Sequence, residues 1–133
     1  MSELDPLVEL QVDILYKIFD RGVPTPFKDV QPGMPVSILC DHDAAGFGRP
    51  VMEDGTEVVA EIMQGTYLRR EQLTGKYATL PNGEPCMTDI IDLHGSEVWV
   101  DIKEDGTGSW PTGGPVHPIK LGPVHPEYTV TSS

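Results

Sequence analysis

Residues 97–107 read Glu97-Val98-Trp99-Val100-Asp101-Ile102-Lys103-Glu104-Asp105-Gly106-Thr107. Val98, Val100 and Ile102 fall on one side of an extended chain, and Trp99, Asp101 and Lys103 on the other. Successive side chains of a strand point to opposite faces, so this alternation predicts a strand with one buried face. Asp105-Gly106 then supplies a turn, because Gly tolerates the positive φ that tight hairpins need. The same Glu-Asp-Gly-Thr occurs at 53–56, just before Glu57-Val58-Val59-Ala60-Glu61-Ile62. We read this as one turn chemistry used twice, not as a duplicated domain.

Working outward, Val36-Ser37-Ile38-Leu39-Cys40 reads as a strand, and residues 41–49 as a loop. Residues 66–73 read as a strand followed by a short helical turn. Leu80-Pro81-Asn82-Gly83-Glu84-Pro85 is another turn. Segments 86–93 and 97–103 flank His94-Gly95-Ser96, a tight turn. Five or six short strands at this spacing predict a mainly β fold, a small antiparallel β-barrel or sandwich.

The ends differ from this middle. Asp5 suits a helix N-cap and Pro6 the first helical position, so residues 5–20 read as a helix. Leu7, Leu10, Ile14 and Ile18 recur at spacings that make one apolar stripe, with Glu9, Asp13 and Lys17 on another face. Gly22 and Pro24 end it. The stripe either packs on its own domain or docks on a neighbouring subunit. Four segments result: an N-terminal amphipathic helix at 1–22, a linker at 23–35, a β-barrel domain at 36–110 and an extended Pro-rich arm at 111–133. The arm carries Gly114-Pro115-Val116-His117-Pro118, repeated as Gly122-Pro123-Val124-His125-Pro126. Proline cannot donate to a sheet ladder, so the arm reads as polyproline-like, either disordered or laid across a partner. The interface candidates are therefore Leu7, Leu10, Ile14 and Ile18 in the helix, with Val116, His117, Val124 and His125 in the arm.

Composition bounds the function. The chain has 133 residues, and 9 Lys+Arg against 21 Asp+Glu give a formal charge of −12. That length fits one domain. The charge disfavours nucleic-acid binding and docking on anionic membranes, both of which need Lys and Arg. With 14 Gly and 13 Pro, a helical bundle is disfavoured too. No stretch approaches the ~20 apolar residues of a membrane span, and the acidic start lacks the basic region of a secretory signal. Cys40 and Cys86 form no C-x-x-C motif, and buried free thiols are the expectation.

Motif chemistry is sparse. There is no Gly-x-Ser-x-Gly, Gly-x-Gly-x-x-Gly or P-loop pattern. Cys40, His42 and Asp43, with His94, are the residue types that bind zinc or iron, but their spacing matches no familiar ligand set. A small metal enzyme using them is the alternative reading. The expectation is a protein without catalytic residues or cofactor, an interaction module with extensions at both ends.

The order of features resembles the head–tail joining, or head-closure, proteins of lambda-like tailed bacteriophages. The resemblance rests on Phe19-Asp20-Arg21-Gly22-Val23-Pro24 leading to Met34-Pro35-Val36-Ser37-Ile38-Leu39. It continues through Tyr67-Leu68-Arg69-Arg70-Glu71-Gln72-Leu73 and the hairpin segment Ile90 to Ile102, which runs into Asp105-Gly106-Thr107-Gly108. Residues 74–85 are longer and richer in Pro and Gly than that family's connection, and the tail after Trp110 has no counterpart in it. The resemblance implies a β-barrel in the virion, assembled in the host cytoplasm. Copies would form a ring between a portal or adaptor and the tail, with DNA only as passing cargo. The other virion placements are tail tube, neck or head decoration.

Overall fold

The computed structural model describes residues 5–46, 48–109, 118–122 and 128–132. Helix α1 (Pro6–Arg21) is followed by β1 (Pro35–Asp41), the single helical turn α2 (His42–Ala45) and β2 (Glu57–Gln72). Then come β3 (Met87–Leu93), β4 (Ser96–Ile102), β5 (Thr107–Ser109), β6 (Pro118–Leu121) and β7 (Tyr128–Ser132). The strands pair antiparallel in the order β1-β6-β5-β4-β3-β2-β7, and β1 also pairs with β2. That last pairing closes six strands into a barrel and leaves β7 outside the ring, on the first half of β2. Of the two architectures expected, the fold is the barrel.

The alternation that predicted β4 holds: Val100 and Ile102 are buried, while Trp99, Asp101 and Lys103 are exposed. Ile38, Ile91, Val100, Ile119 and Leu121 meet in the barrel interior. Both predicted Glu-Asp-Gly-Thr turns form, and alike. Gly55 N–H donates to Met52 O at 2.9 Å and Gly106 N–H to Lys103 O at 3.0 Å. Asp54 accepts from Thr56 N–H at 2.9 Å, and Asp105 from Thr107 N–H at 3.0 Å. The turn at Leu80–Glu84 repeats this pattern with Asn82 in the Asp position and Gly83 at φ +87. His94 (φ 53) and Gly95 (φ 89) make the two-residue turn between β3 and β4, where both positions need positive φ.

Four boundaries differ from expectation. Segments 58–62 and 66–72 are one strand, β2, with Gly65 inside it. A Cβ at Gly65 would sit 2.7 Å from Asp92 O, so the missing side chain lets β3 approach there. The loop 41–49 begins with α2, because the Asp41 carboxylate caps it by accepting from Ala44 N–H at 3.1 Å. The expected arm is not wholly an arm: Pro118–Leu121 and Tyr128–Ser132 are strands of the sheet. Pro118 is the first residue of β6, a position where a missing N–H is tolerated. The expected linker, finally, covers one end of the barrel. Thr25 N–H donates to Leu121 O at 2.9 Å, Phe27 N–H to Glu104 O at 2.9 Å, and Gly33 N–H to Tyr67 O at 2.8 Å. Phe27, Val30 and Met34 pack on the interior core.

Helix α1 lies over β2 and β7. Val12, Leu15 and Phe19 are buried against Leu39, Val59, Ala60, Ile62 and Val130. Each such side chain contributes about 1.5–3 kcal/mol on burial. Asp5 caps the helix by accepting from Leu7 N–H at 2.8 Å. At the other end Lys120 of β6 reaches across, its Nζ donating to Phe19 O at 2.7 Å, Asp20 O at 3.2 Å and Gly22 O at 2.8 Å. A cation on those orphan carbonyls suits the helix dipole and ties α1 to the barrel.

The cover predicts an asymmetry between the two like turns. Gly55 and Gly106 share a φ near 90°, but a Cβ at Gly55 would meet open space, whereas one at Gly106 would run into the Thr25 carbonyl. Gly55→Ala should destabilise by about 1–2 kcal/mol, from φ alone. Gly106→Ala should lose a further 1–3 kcal/mol or so, from overpacking. Urea unfolding of both variants measures the difference, and equal losses would mean the cover does not press on this turn.

Candidate functional site

The apolar face of α1 is wider than its docking contact. Val8, Val12, Leu15 and Phe19 form the side that meets the barrel. The stripe singled out by spacing is the neighbouring one: Leu7, Leu10 and Ile14 are 62%, 56% and 46% exposed, and Ile18 is half-buried. Ile14 and Ile18, with Gln11 and Leu15, form one wall of a groove of about 220 Å³ whose other wall is Tyr128, Thr129 and Val130 of β7. The residues missed by the sequence reading are Val12, Leu15 and Phe19. Their spacing is as helical as that of the stripe chosen, so periodicity alone does not rank the two. Val116, His117, Val124 and His125 lie outside the described residues.

A second constellation sits at the covered end of the barrel. Asp89 of β3 is 2% exposed, and its carboxylate is fully engaged. Oδ1 accepts from Tyr67 Oη at 2.8 Å and Arg70 Nε at 2.9 Å, and Oδ2 from Arg70 Nη2 at 3.0 Å and Ile102 N–H at 3.2 Å. Tyr67 and Arg70, three apart on β2, would ordinarily point to opposite faces. The register shifts between Tyr67 and Arg69, a bulge at Leu68 that turns both toward Asp89. Burial first, then the Asp89 carboxylate, push the Tyr67 hydroxyl well above its ordinary pKa. The Arg70 guanidinium also lies 3.7 Å from the Phe27 ring centroid and donates to Ile102 O at 3.1 Å. Beside it opens a cleft of about 540 Å³ lined by Pro26, Phe27, Lys28, Arg70 and Glu104. Sequence reasoning quoted Tyr67 and Arg70 but missed their partner, because only the bulge brings them to Asp89.

The four candidate metal ligands are not brought together. Cys40 points into the barrel core, its Sγ 3.6 Å from Met63 Sδ. His42 Nε2 lies 2.9 Å from Glu61 Oε2, and Asp43 takes both prongs of Arg49, at 2.8 and 2.9 Å. That guanidinium holds the Asp43 carboxyl below its ordinary pKa. His94 is in the β3–β4 turn. Among the described residues no three His, Cys, Asp or Glu side chains are grouped so as to hold a metal ion. Burial, with a smaller contribution from Glu61, pushes the Cys40 thiol up to about 12. Both cysteines are free, Cys40 buried and Cys86 half-buried.

No protein-family model, curated protein or solved structure matches the chain. The geometry alone therefore carries the functional argument, and what it defines is a closed barrel with a docked helix whose second apolar stripe faces outward.

Two outcomes follow. A thiol reagent near pH 8 should modify one cysteine per native chain, Cys86, and both in denaturant, as counted by mass; rapid labelling of two in the native protein would place Cys40 at the surface. Asp89→Asn should destabilise by about 2–4 kcal/mol in urea, because it removes the charge that Arg70 and Tyr67 address from a buried site. A loss under about 0.5 kcal/mol, the level of an ordinary surface change, would show that the knot contributes little.

Proposed function

We propose that the protein is a structural subunit of a virion, placed at the head–tail junction of a tailed phage. The observation that carries the reading is α1. A helix docked by Val12, Leu15 and Phe19 that still presents Leu7, Leu10 and Ile14 to solvent has a surface left over for assembly. In this reading copies form a ring between a portal or adaptor and the tail, with α1 contributing to the contacts between subunits. The chain performs no reaction and takes no cofactor.

The charge supports the same placement. A ring of subunits of −12 each makes a negative passage if its acids face the axis. DNA phosphates are then kept off the wall, whereas a basic lining would hold them by releasing counterions. Carboxylates thus suit a conduit better than a DNA-binding surface.

The test is complementation of particles that lack the protein. Leu10→Glu combined with Ile14→Glu should leave the melting temperature nearly unchanged, since both positions are exposed, and should abolish incorporation and tail joining. Wild-type yields of tailed particles from the double variant would remove α1 from assembly.

A further inference from the structure

We infer that the cleft at the covered end of the barrel binds a small zwitterion with an apolar body, a short apolar peptide with both ends free and charged. The cleft holds about 540 Å³, within the range of sites that take small ligands and with room for more than one side chain. Pro26, Phe27, Lys28, Arg70 and Glu104 line it. Pro26 and Phe27 offer apolar surface, and the three charged side chains supply orienting groups. Apolar walls with a few placed polar atoms are what a small-molecule site needs.

Arg70 is held in position before any ligand arrives. Its Nε and Nη2 donate to Asp89 at 2.9 and 3.0 Å, and Nη2 donates to Ile102 O at 3.1 Å. The guanidinium also lies 3.7 Å from the Phe27 ring centroid. Nη1 takes part in none of these bonds and keeps two N–H donors, although the side chain is 34% exposed and lines the cleft. The guanidinium is planar and its other two nitrogens are turned to Asp89, so Nη1 is the edge that remains for a ligand. Its donors are already fixed, and using them costs little side-chain freedom. Lys28 and Glu104 are exposed, and neither side chain has a hydrogen bond or ion pair among the described residues.

The charges select the ligand class. Buried Asp89 already matches the Arg70 charge, so the guanidinium brings directed donors rather than net positive charge. Lys28 and Glu104 stand at the same cleft with opposite signs. Together these four groups are neutral, in a chain of −12. A phosphate or dicarboxylate would meet one uncommitted cation, the Glu104 carboxylate and the negative field of the whole chain. A plain cation would meet the donors of Arg70 and Lys28. A zwitterion satisfies both signs. Its carboxylate accepts from Arg70 Nη1 and Lys28 Nζ, its ammonium donates to Glu104, and its side chains lie on Pro26 and Phe27.

This site goes beyond the assembly reading. It shares no residue with the α1 stripe, so the two are tested on different side chains and fail separately.

The experiment titrates the full chain with leucyl-leucine, followed through backbone amide and Arg70 Nε–H resonances. Saturable shifts should centre on Phe27, Lys28, Arg70 and Glu104, with a Kd of about 0.1–1 mM. Two blocked probes separate the ends. N-acetyl-leucyl-leucine keeps only the carboxylate, as the C-terminus of a partner protein would, and leucyl-leucinamide keeps only the ammonium. Each should bind about tenfold more weakly or worse. Lys28→Met and Glu104→Gln change exposed positions and should leave the fold intact. Lys28→Met should shrink the advantage of leucyl-leucine over its amide, and Glu104→Gln its advantage over the acetyl form. No saturable shift up to about 10 mM, shifts centred away from the cleft, or preferences unchanged in the two variants would overturn the inference. Equal binding of the acetyl form would overturn it too, and would assign the cleft to a protein chain end instead.

Discussion

The carboxylate of Asp89 is the point on which the covered end of the barrel depends. A buried, ionised group must find donors for its lone pairs, and four hydrogen bonds from three residues supply them. Those three residues lie on β2 and β4, so the carboxylate ties together the strands on either side of β3. Through Arg70 the constraint extends to Phe27, whose ring lies under the guanidinium and edge-on to Tyr67 with centroids 6.2 Å apart. The segment between α1 and β1 is therefore held over the barrel end by packing and backbone pairing together. A buried ion pair of this kind is weak evidence for net stability, since apolar packing in its place is often as good. What it does well is specify, because only the bulged register of β2 delivers Tyr67 and Arg70 to the same oxygen.

Strand β2 carries the remaining topology. One edge pairs with β1, and the other is shared between β7 over its first half and β3 over its second. A strand of 16 residues cannot do this without local concessions. Gly65 admits the backbone of β3, and the bulge at Leu68 re-aims the side chains beyond it. Closure of six strands into the ring leaves β7 outside it, which is why β7 and the flank of α1 face one another across a groove.

Much of the barrel was legible because short strands with one buried face announce themselves. The alternation in β4 and the paired Asp-Gly turns are local signals, and the structure uses each as read. What was not legible is the part decided by tertiary contacts. Proline at 118 and 126 argued for an arm, yet Pro118 heads β6 and the last described residues add β7, because edge and first positions tolerate a missing N–H. The proline-rich stretch before β1 read as a linker, although its free N–H groups at Thr25, Phe27 and Gly33 all find carbonyls on the barrel. For the candidate site, periodicity located the exposed stripe at Leu7, Leu10 and Ile14 but gave no reason to prefer Val12, Leu15 and Phe19 as the docked one. Cys40 shows the opposite failure. Residue type suggested a ligand, whereas strand alternation turns its thiol into the core, away from Asp43.

The width of the apolar face on α1 links fold to function. A helix docked on one flank of a sheet needs an apolar stripe about 100° wide, and here Leu10, Ile14, Leu7, Leu15, Val8, Phe19 and Val12 span roughly 200° of the helix circumference. Burying the docked half already holds α1 in place, with the Asp5 cap and Lys120 fixing its two ends. The outer half therefore adds little to the isolated fold, and its exposed leucines carry a standing risk of aggregation. Twelve net negative charges offset that risk by keeping copies of the chain apart at long range. The apolar flank of α1 at Leu7, Leu10 and Ile14 carries no charge of its own. Long-range repulsion beside a locally apolar stripe disfavours indiscriminate contact between chains while leaving the stripe itself without a charge barrier.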